Sequence, residues 1–341
     1  MTKPKSNFYA PGLMDLSPYN FVRADLNNEW DAFIEASPQG TIFARSEFLN
    51  SLRGTPGLWY CLKKNKIKAG LVIMETKDGS STCLHKLMIY GGVIFSPHDS
   101  NQNYSQILSE EFRISSASIL HLTKTYKKIF MVTHPAFSDF RPFLWHNYNK
   151  SESMINFDLR YTSYVNLNGE IDLNKLEESQ IYMAANKSRR QEIRYGLKKG
   201  VLTEQKYDPE LFDLFYKMTF KRQGKVPEHD LAELRNLLDN LHSHEMLRMY
   251  ISRVKNGTPG SIAIFGIDSK RAYFLYGAND PIMRDEHTGT MVIWDAFQAL
   301  YHEGVAEIDM EGVNSPARGY FKLSFGGSLK PYYNLALKQK V

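Results

Sequence analysis

Lys322 stands in the stretch Gly319 to Tyr333, GYFKLSFGGSLKPYY, with Tyr320, Phe321 and Phe325 beside it and the pair Gly326-Gly327 behind it. An ammonium among rings either snorkels past them with its charge in water or is placed to meet an anion. Shortly upstream, Asp309 and Glu311 alternate with Ile308 and Met310, the pattern of a strand that carries both carboxylates on one face. Such a pair could take up a proton, form an ion pair with Arg318 or line a solvated strand face. The spacing does not choose between the two acids.

Further anion sites suggest themselves. The loop RDEHTGTM runs from Arg284 to Met291 ahead of a helix, and Gly289 between Thr288 and Thr290 would let backbone N–H groups meet a pyrophosphate. A plain capped helix start is the alternative. The segment Asn186–Lys199 carries Lys187, Arg189, Arg190, Arg194, Lys198 and Lys199, while Ile193 and Leu197 make an i, i+4 apolar contact. Much of that charge should face water, or Arg190 and Arg194 form a phosphate clamp for a nucleotide or RNA. Arg222 in KRQGK could act as a fork for phosphate or carboxylate, and Tyr276, in a strand ending GAN, could line a cleft. His242 and His244 point to different sides of a helix, so no metal is expected. No G-x-S-x-G elbow occurs, and neither Cys61 nor Cys83 sits in a nucleophile motif. Both cysteines are expected to be reduced and buried, with a single bridge as the alternative.

Helices and strands must position these groups. Trp30, Phe33 and Ile34 share a helical face that breaks at Ser37-Pro38, and RSEFLNSLRG reads as a second helix. LWYCLKK, IKAGLVIMETKD and CLHKLMIYGGVIF read as strands with a hairpin turn at Lys77-Asp78-Gly79-Ser80, followed by a helix over 105–125 and the strand KIFMVTHPA. After the polar stretch Asn147–Met154 a similar order returns: the strand RYTSYVNLN, helices through PELFDLFYKMTFKRQG and HDLAELRNLLDNLHSHE, three strands with a turn at Asn256-Gly257, a helix MVIWDAFQALYHEG and the strand VAEIDMEG. This is α+β organisation with an internal duplication.

With 341 residues, the chain exceeds what one core usually supports, so two domains of roughly 150 residues are expected. A net charge of +5 suits an anionic small molecule, a nucleotide or a lipid surface and falls short of a dedicated nucleic-acid binder, so no DNA partner is expected. No apolar run has the length of a membrane span or signal peptide, which predicts a soluble, cytoplasmic protein without a transmembrane segment.

The run IDMEGVNSPARGYFKLSFGG, preceded by a helix ending in HEG, closely resembles the end of the FemAB-like acyltransferases, tandem GNAT-fold enzymes that move aminoacyl or acyl groups onto amines. NKSRRQEIRYGLKKGV resembles their basic helix, KRQGK their Arg-x-Gly element, and AYFLYGAN their strand ending in Gly-Ala. The match covers mainly residues 155–335; the first half agrees in layout and in YGGVIFSP. The resemblance implies two GNAT-like domains of mixed sheets flanked by helices: 1–150, completed by a C-terminal strand 328–341, and 151–327, which carries the transfer motifs, with a substrate cleft between them. It places Phe321-Lys322 at the reaction centre, with Lys322 meeting the oxyanion and Asp309 or Glu311 taking the amine proton or orienting the acceptor. Arg284, Thr288, Gly289 and Thr290 would meet the CoA pyrophosphate, although the family loop Arg/Gln-x-x-Gly-x-Gly/Ala differs here in spacing and glycine content. Arg222, Tyr276, Arg190 and Arg194 would bind substrate. No segment has the extended heptads of the helical hairpin in some Fem enzymes, which favours acyl-CoA as donor. In size and motif layout the chain looks like N-acyltransferases of dTDP-linked 3-amino-3,6-dideoxyhexoses in surface polysaccharide pathways. A Fem-type transferase using aminoacyl-tRNA on a peptidoglycan precursor and a non-catalytic GNAT-like scaffold are the alternatives.

Overall fold

A computed structural model describes residues 16, 18–167, 169, 175–224, 226, 227 and 229–338, with the side chains of Arg222 and Gln223 outside that set. The described residues divide into two compact units, unit 1 within 1–46, 54–159 and 332–341, and unit 2 within 47–53 and 160–331.

In unit 1, β1 (Tyr19–Arg23) leads to α1 (Asn28–Ala36), whose start is fixed by the Asn27 side chain accepting from the Trp30 N–H at 2.9 Å. The short α2 (Ser46–Leu49) follows, then β2 (Thr55–Lys63), β3 (Lys66–Glu75), β4 (Thr82–Cys83) and β5 (Gly92–Phe95). These strands run β1-β2-β3-β4, with β5 also on β3, all antiparallel. The segment expected as one strand, CLHKLMIYGGVIF, is therefore two short strands parted by a loop. The break ends at Gly92, whose φ of +75° leaves the region open to other residues. Helix α3 (Tyr104–Thr125) opens with a capping box between Asn103 and Gln106 and buries Phe112, Ile119 and Leu122. After β6 (Lys128–Val132) and α4 (Arg141–Trp145), the core of unit 1 gathers Leu71, Ile73, Val93, Ile129 and Met131 with Leu335 and Leu337. Both cysteines are free thiols. Cys61 is buried, which pushes its thiol up to about 12, and the partly buried Cys83 shifts the same way.

Strand β7 (Asn156–Asn166) carries the chain into unit 2, where α5 (Gln180–Ala184), α6 (Lys187–Lys199), β8 (Leu202–Gln205), α7 (Pro209–Gln223) and α8 (Leu231–Ser243) follow. The hairpins β9 (Leu247–Arg253), β10 (Pro259–Ile267) and β11 (Ala272–Asn279) come next, then α9 (Thr288–His302), β12 (Glu307–Asp309), α10 (Pro316–Leu323) and β13 (Ser328–Lys338). The unit 2 strands lie in the order β7-β12-β11-β10-β9-β8. Only β11 and β12 among them pair in parallel, which is why α9 must intervene as a crossover. Helix α9 is apolar almost all round, and Met291, Ile293, Trp294, Phe297 and Leu300 fill the core with Phe265, Ile308 and Phe325. Strand β13 then pairs with β6 from Asn334 to Lys338 within unit 1. Among the described residues no helix is long and apolar enough to cross a membrane.

Candidate active site

The parallel pairing of β11 with β12 is two residues long, Ala272 with Ile308 and Tyr273 with Asp309. Beyond it the strands part. β11 continues to Asn279 against β10 alone, while the chain after Asp309 stays with β7 through Met310 N–H to Ser163 O (2.8 Å) and Val313 N–H to Tyr161 O (3.0 Å). The result is a wedge at the carboxyl ends of two parallel strands. Asp309 and Glu311 stand at its apex, and α10 lies against it, with Lys322 Nζ 5.2 Å from the centre of the Phe274 ring.

One expectation changes here. The segment around Lys322 is a helix: Pro316 supplies the preset φ of a first helical turn, and Gly319 packs against Val313 O, where a Cβ would come within 2.5 Å. The carboxylates, expected to alternate along one strand, do not. β12 ends at Asp309, and Glu311 takes a φ of +52°, a conformation that a non-glycine residue holds at a cost. That turn is pinned because the Glu311 N–H donates to Asp309 Oδ1 at 2.7 Å, while the Thr162 hydroxyl donates to the same oxygen. Asp309 is fully buried, and Glu311 and Lys322 are each 8% exposed, so neither a solvated strand face nor a snorkelling lysine describes them.

Burial sets the electrostatics. Removal from water drives the Glu311 carboxyl well above the usual carboxylate range; the Lys322 charge opposes that rise, and Asp309 adds to it. The Lys322 ammonium is pulled down to about 8, again mainly by burial, against the attraction of Glu311 and with the help of Arg318. Desolvation thus outweighs the mutual attraction for both groups, and the Lys322 ammonium changes protonation around pH 8. Oε1 of Glu311 is buried without a hydrogen-bond partner among the described residues. An unsatisfied carboxylate oxygen on a strained backbone is costly to maintain and is available to a substrate N–H.

A second arrangement holds α10. Arg189 of α6, 5% exposed, lies against two rings, its guanidinium carbon 4.5 Å from the centre of Phe321 and 4.7 Å from that of Phe325. Its Nε donates to Ser324 Oγ at 2.9 Å, and its Nη1 donates to Glu192 Oε2 at 2.6 Å and to the Thr290 hydroxyl. Thr290 in turn donates to Glu192. At the start of α9 the Thr288 and Ser261 hydroxyls share a hydrogen bond of 2.8 Å. Both threonine side chains expected to meet a pyrophosphate are therefore buried and engaged within the protein. What this helix start can offer an anion is its first backbone N–H groups, which have no acceptors within the helix.

Residues 185–322 match the family model of the acetyltransferase (GNAT) domain, a segment that begins one residue before the cap of α6 and ends on Lys322. Over these residues the chain is similar to a GNAT acyltransferase domain. The likeness to solved structures extends over nearly the whole chain. A crystal structure of FemX shares 14% identity with a TM-score of 0.62, covering 92% of this chain and 96% of that one. The C-terminal domain of a putative lysylphosphatidylglycerol synthetase from Agrobacterium fabrum gives 13% identity, a TM-score of 0.52 and 90% coverage of both chains. L-PGS from Bacillus licheniformis gives 11%, 0.51, and 94% and 95%. No curated protein matches the chain. The fold is α+β and GNAT-like, shared with FemX over nearly the whole chain.

The other expected residues fall around the GNAT domain rather than in one place. Arg194 Nη1 donates to Tyr182 Oη at 2.5 Å, and Arg190 reaches Met183 Sδ at 3.3 Å with its guanidinium over the Tyr182 ring. Both fold back onto α5. Arg284 is exposed in a short 3-10 turn, Pro281–Glu286, ahead of α9, and Gly289 sits within the first turn of that helix. Tyr276 lies on the length of β11 that pairs with β10 alone, in an aromatic group with Phe212, Tyr216 and His229. Arg222 lies in the last turn of α7, and its side chain falls outside the described residues. Sequence reasoning had assigned Arg189 no role of its own. The signal was present: it lies four residues before Ile193 and so shares the buried stripe of α6, where an exposed charge cannot be accommodated. No group of three or more His, Cys, Asp or Glu among the described residues is arranged to hold a metal ion.

Proposed function

We propose that this protein is an N-acyltransferase that moves an acyl group from acyl-CoA directly to the amino group of a nucleotide-linked deoxyamino sugar. The observation that carries the reading is the buried pair of Glu311 and Lys322 at the parting of β11 and β12, an unpartnered carboxylate oxygen beside a buried cation. Acyl transfer to an amine needs a group that takes a proton from nitrogen and a charge that meets the oxyanion. The amine nitrogen bonds to the thioester carbonyl carbon, and the carbonyl electrons move onto oxygen, where the Lys322 ammonium faces them. Glu311 Oε1 accepts the proton that nitrogen sheds. When the intermediate collapses, the C–S bond breaks and the thiolate leaves with that proton, so Glu311 and Lys322 return to their starting states. The strained turn at Glu311 supports this by holding the carboxylate ready before substrate arrives. The first N–H groups of α9, at Thr288 and Gly289, would receive the donor's pyrophosphate. The amino-sugar acceptor rests on the motif layout, and Tyr276 is the candidate ring to line its cleft.

The exposed basic face of α6, with Lys187, Arg194, Lys198 and Lys199, favours a second reading, a Fem-type transferase using aminoacyl-tRNA on a peptidoglycan precursor. One set of assays separates them. The protein is mixed with acetyl-CoA or 3-hydroxybutanoyl-CoA and a panel of dTDP- and UDP-amino sugars, and thiol release is followed. Release with an amino sugar supports the first reading. Its absence, together with product from charged tRNA and a muramyl peptide, establishes the second. If neither reacts while a nucleotide sugar raises the melting temperature, the site binds without catalysing.

A further inference from the structure

Arg189 is an unusual helper for a surface helix. Its guanidinium is buried against the rings of Phe321 and Phe325, one residue before and three residues after Lys322, and bonds to Ser324 at the end of α10. The Asn186 N–H at the start of α6 donates to Ser324 O at 2.9 Å, and the Ser324 hydroxyl donates to Phe321 O at 2.5 Å. Phe321 lies on α10 and Phe325 two residues past its last one, so holding both ties down the last turn of α10 together with the chain that leaves it. The set of that turn decides where Lys322, about 100° further round than Phe321, directs its ammonium. The opposite edge of the guanidinium reaches Thr290 in the first turn of α9. A single buried cation thus joins α6, the start of α9 and the end of α10.

We infer that Arg189 is a positioning residue for Lys322, one that sets α10 against the start of α9 so that the lysine faces the wedge where Glu311 stands. This rests on the reading of Lys322 as the cation that meets the oxyanion. The charges facing Lys322 are Glu311 and Asp309 from the strand side and Arg318 on its own helix. Those around Arg189 are Glu192 and Tyr320. Because Arg189 does not itself set the charge balance at Lys322, its influence must run through geometry: a loosened α10 lets water reach the ammonium. The planar fork and its stacking are specific to arginine, so lysine at this position would keep the charge and lose the grip.

The test labels the lysines of the full-length protein with acetic anhydride over a pH series and quantifies the Lys322 peptide by mass spectrometry, beside thermal melting of each variant. In the unaltered protein Lys322 should gain reactivity around pH 8. In Arg189→Met and Arg189→Lys, the midpoint should move upward toward the ordinary lysine value of 10.5 while the fold persists. A folded Arg189 variant whose Lys322 titrates as before overturns the inference. If both Arg189 variants fail to fold, Ser324→Ala decides, since it removes one contact of the grip. A smaller shift in the same direction supports the inference, and no shift overturns it. In the acyl-transfer assay the Arg189 variants should lose about 100-fold in kcat with KM little changed, the signature of a misplaced group. An unaltered protein that transfers no acyl group would sink the acyl-transfer reading, whereas the labelling result would still decide whether Arg189 positions Lys322.

Discussion

The backbone N–H of Glu311 donates to Asp309 Oδ1 at 2.7 Å, so one buried carboxylate fixes the turn that aims the other. Asp309 is thereby occupied, with the Thr162 hydroxyl on the same oxygen, while Glu311 Oε1 stays without a partner among the described residues. The two acids, equivalent by sequence spacing, differ in the fold: Asp309 holds the backbone, and in the proposed reaction Glu311 meets the substrate.

Glu311→Gln keeps the shape and the turn but cannot take up a proton. It should lower kcat by roughly two to four orders of magnitude, within the range for loss of a general base, and leave KM nearly unchanged. The fold should persist. The raised carboxyl pKa means that the folded state holds this proton more tightly than the unfolded chain does, so the stability this group contributes is present below the ordinary carboxylate pKa and lost as pH rises. The glutamine variant should therefore melt no lower than the parent at pH 8. Steady-state kinetics and melting curves check both parts; an unchanged kcat removes Glu311 from the proton path.

Lys322→Met should cost about two orders of magnitude in turnover, typical for the loss of one oxyanion-stabilising group. The pH profile is the sharper measurement. With a pKa of about 8, the ammonium is present below that pH, so the parent rate should fall as pH rises through it, and the methionine variant should lack that limb. A parent rate that instead climbs through pH 8 would make neutral Lys322 the base and reverse its role.

Asp295 on α9 offers a control away from the wedge. Its carboxyl, which accepts from the Thr203 hydroxyl, is lifted to about 6 by burial from an ordinary 3.8. Its contribution to stability is complete below the ordinary value and is lost as pH rises through about 6. Asp295→Asn should then raise the melting temperature at pH 8, leave it nearly unchanged at pH 4, and leave transfer kinetics alone. Equal melting shifts at both pH values would contradict the assignment.

Gly326→Ala should be among the most damaging single changes near the site. Gly326 has a φ of +88°, and a Cβ there would approach Ala184 O to 2.4 Å, so strain and a backbone clash add together. A loss of roughly 1–3 kcal/mol for the conformation alone is expected, read as a lower denaturant midpoint. A variant as stable as the parent would mean that α5 can move aside.

Much of this was legible in the chain. Apolar periodicity marks α3, α7, α8 and α9, and the turn residues at Asp78-Gly79 and Asn256-Gly257 mark hairpins, because those signals are local. Lys322, Asp309 and Glu311 were identifiable as residue types. Their arrangement was not. Read as alternation, Glu311 belongs to a strand; in the fold a side chain two residues back bends the backbone into a left-handed turn, a choice that no period reveals. The helix at Lys322 carried a signal in Ser315-Pro316, which opens α10, but the aromatic run after it reads equally as strand. Arg189 was invisible as a clamp because its partners, Phe321, Ser324, Phe325 and Thr290, lie more than a hundred positions away in the chain.

The state of the cysteines has a practical side. Transfer from a thioester liberates one thiol per turnover, and a disulfide reagent reads thiols through their ionised form. Cys61 is enclosed with its ionisation pushed up to about 12, and Cys83 is displaced in the same direction, so near pH 8 the protein's own sulfur should be nearly silent to such a reagent. The coloured signal then counts product against a low blank, without removing either cysteine.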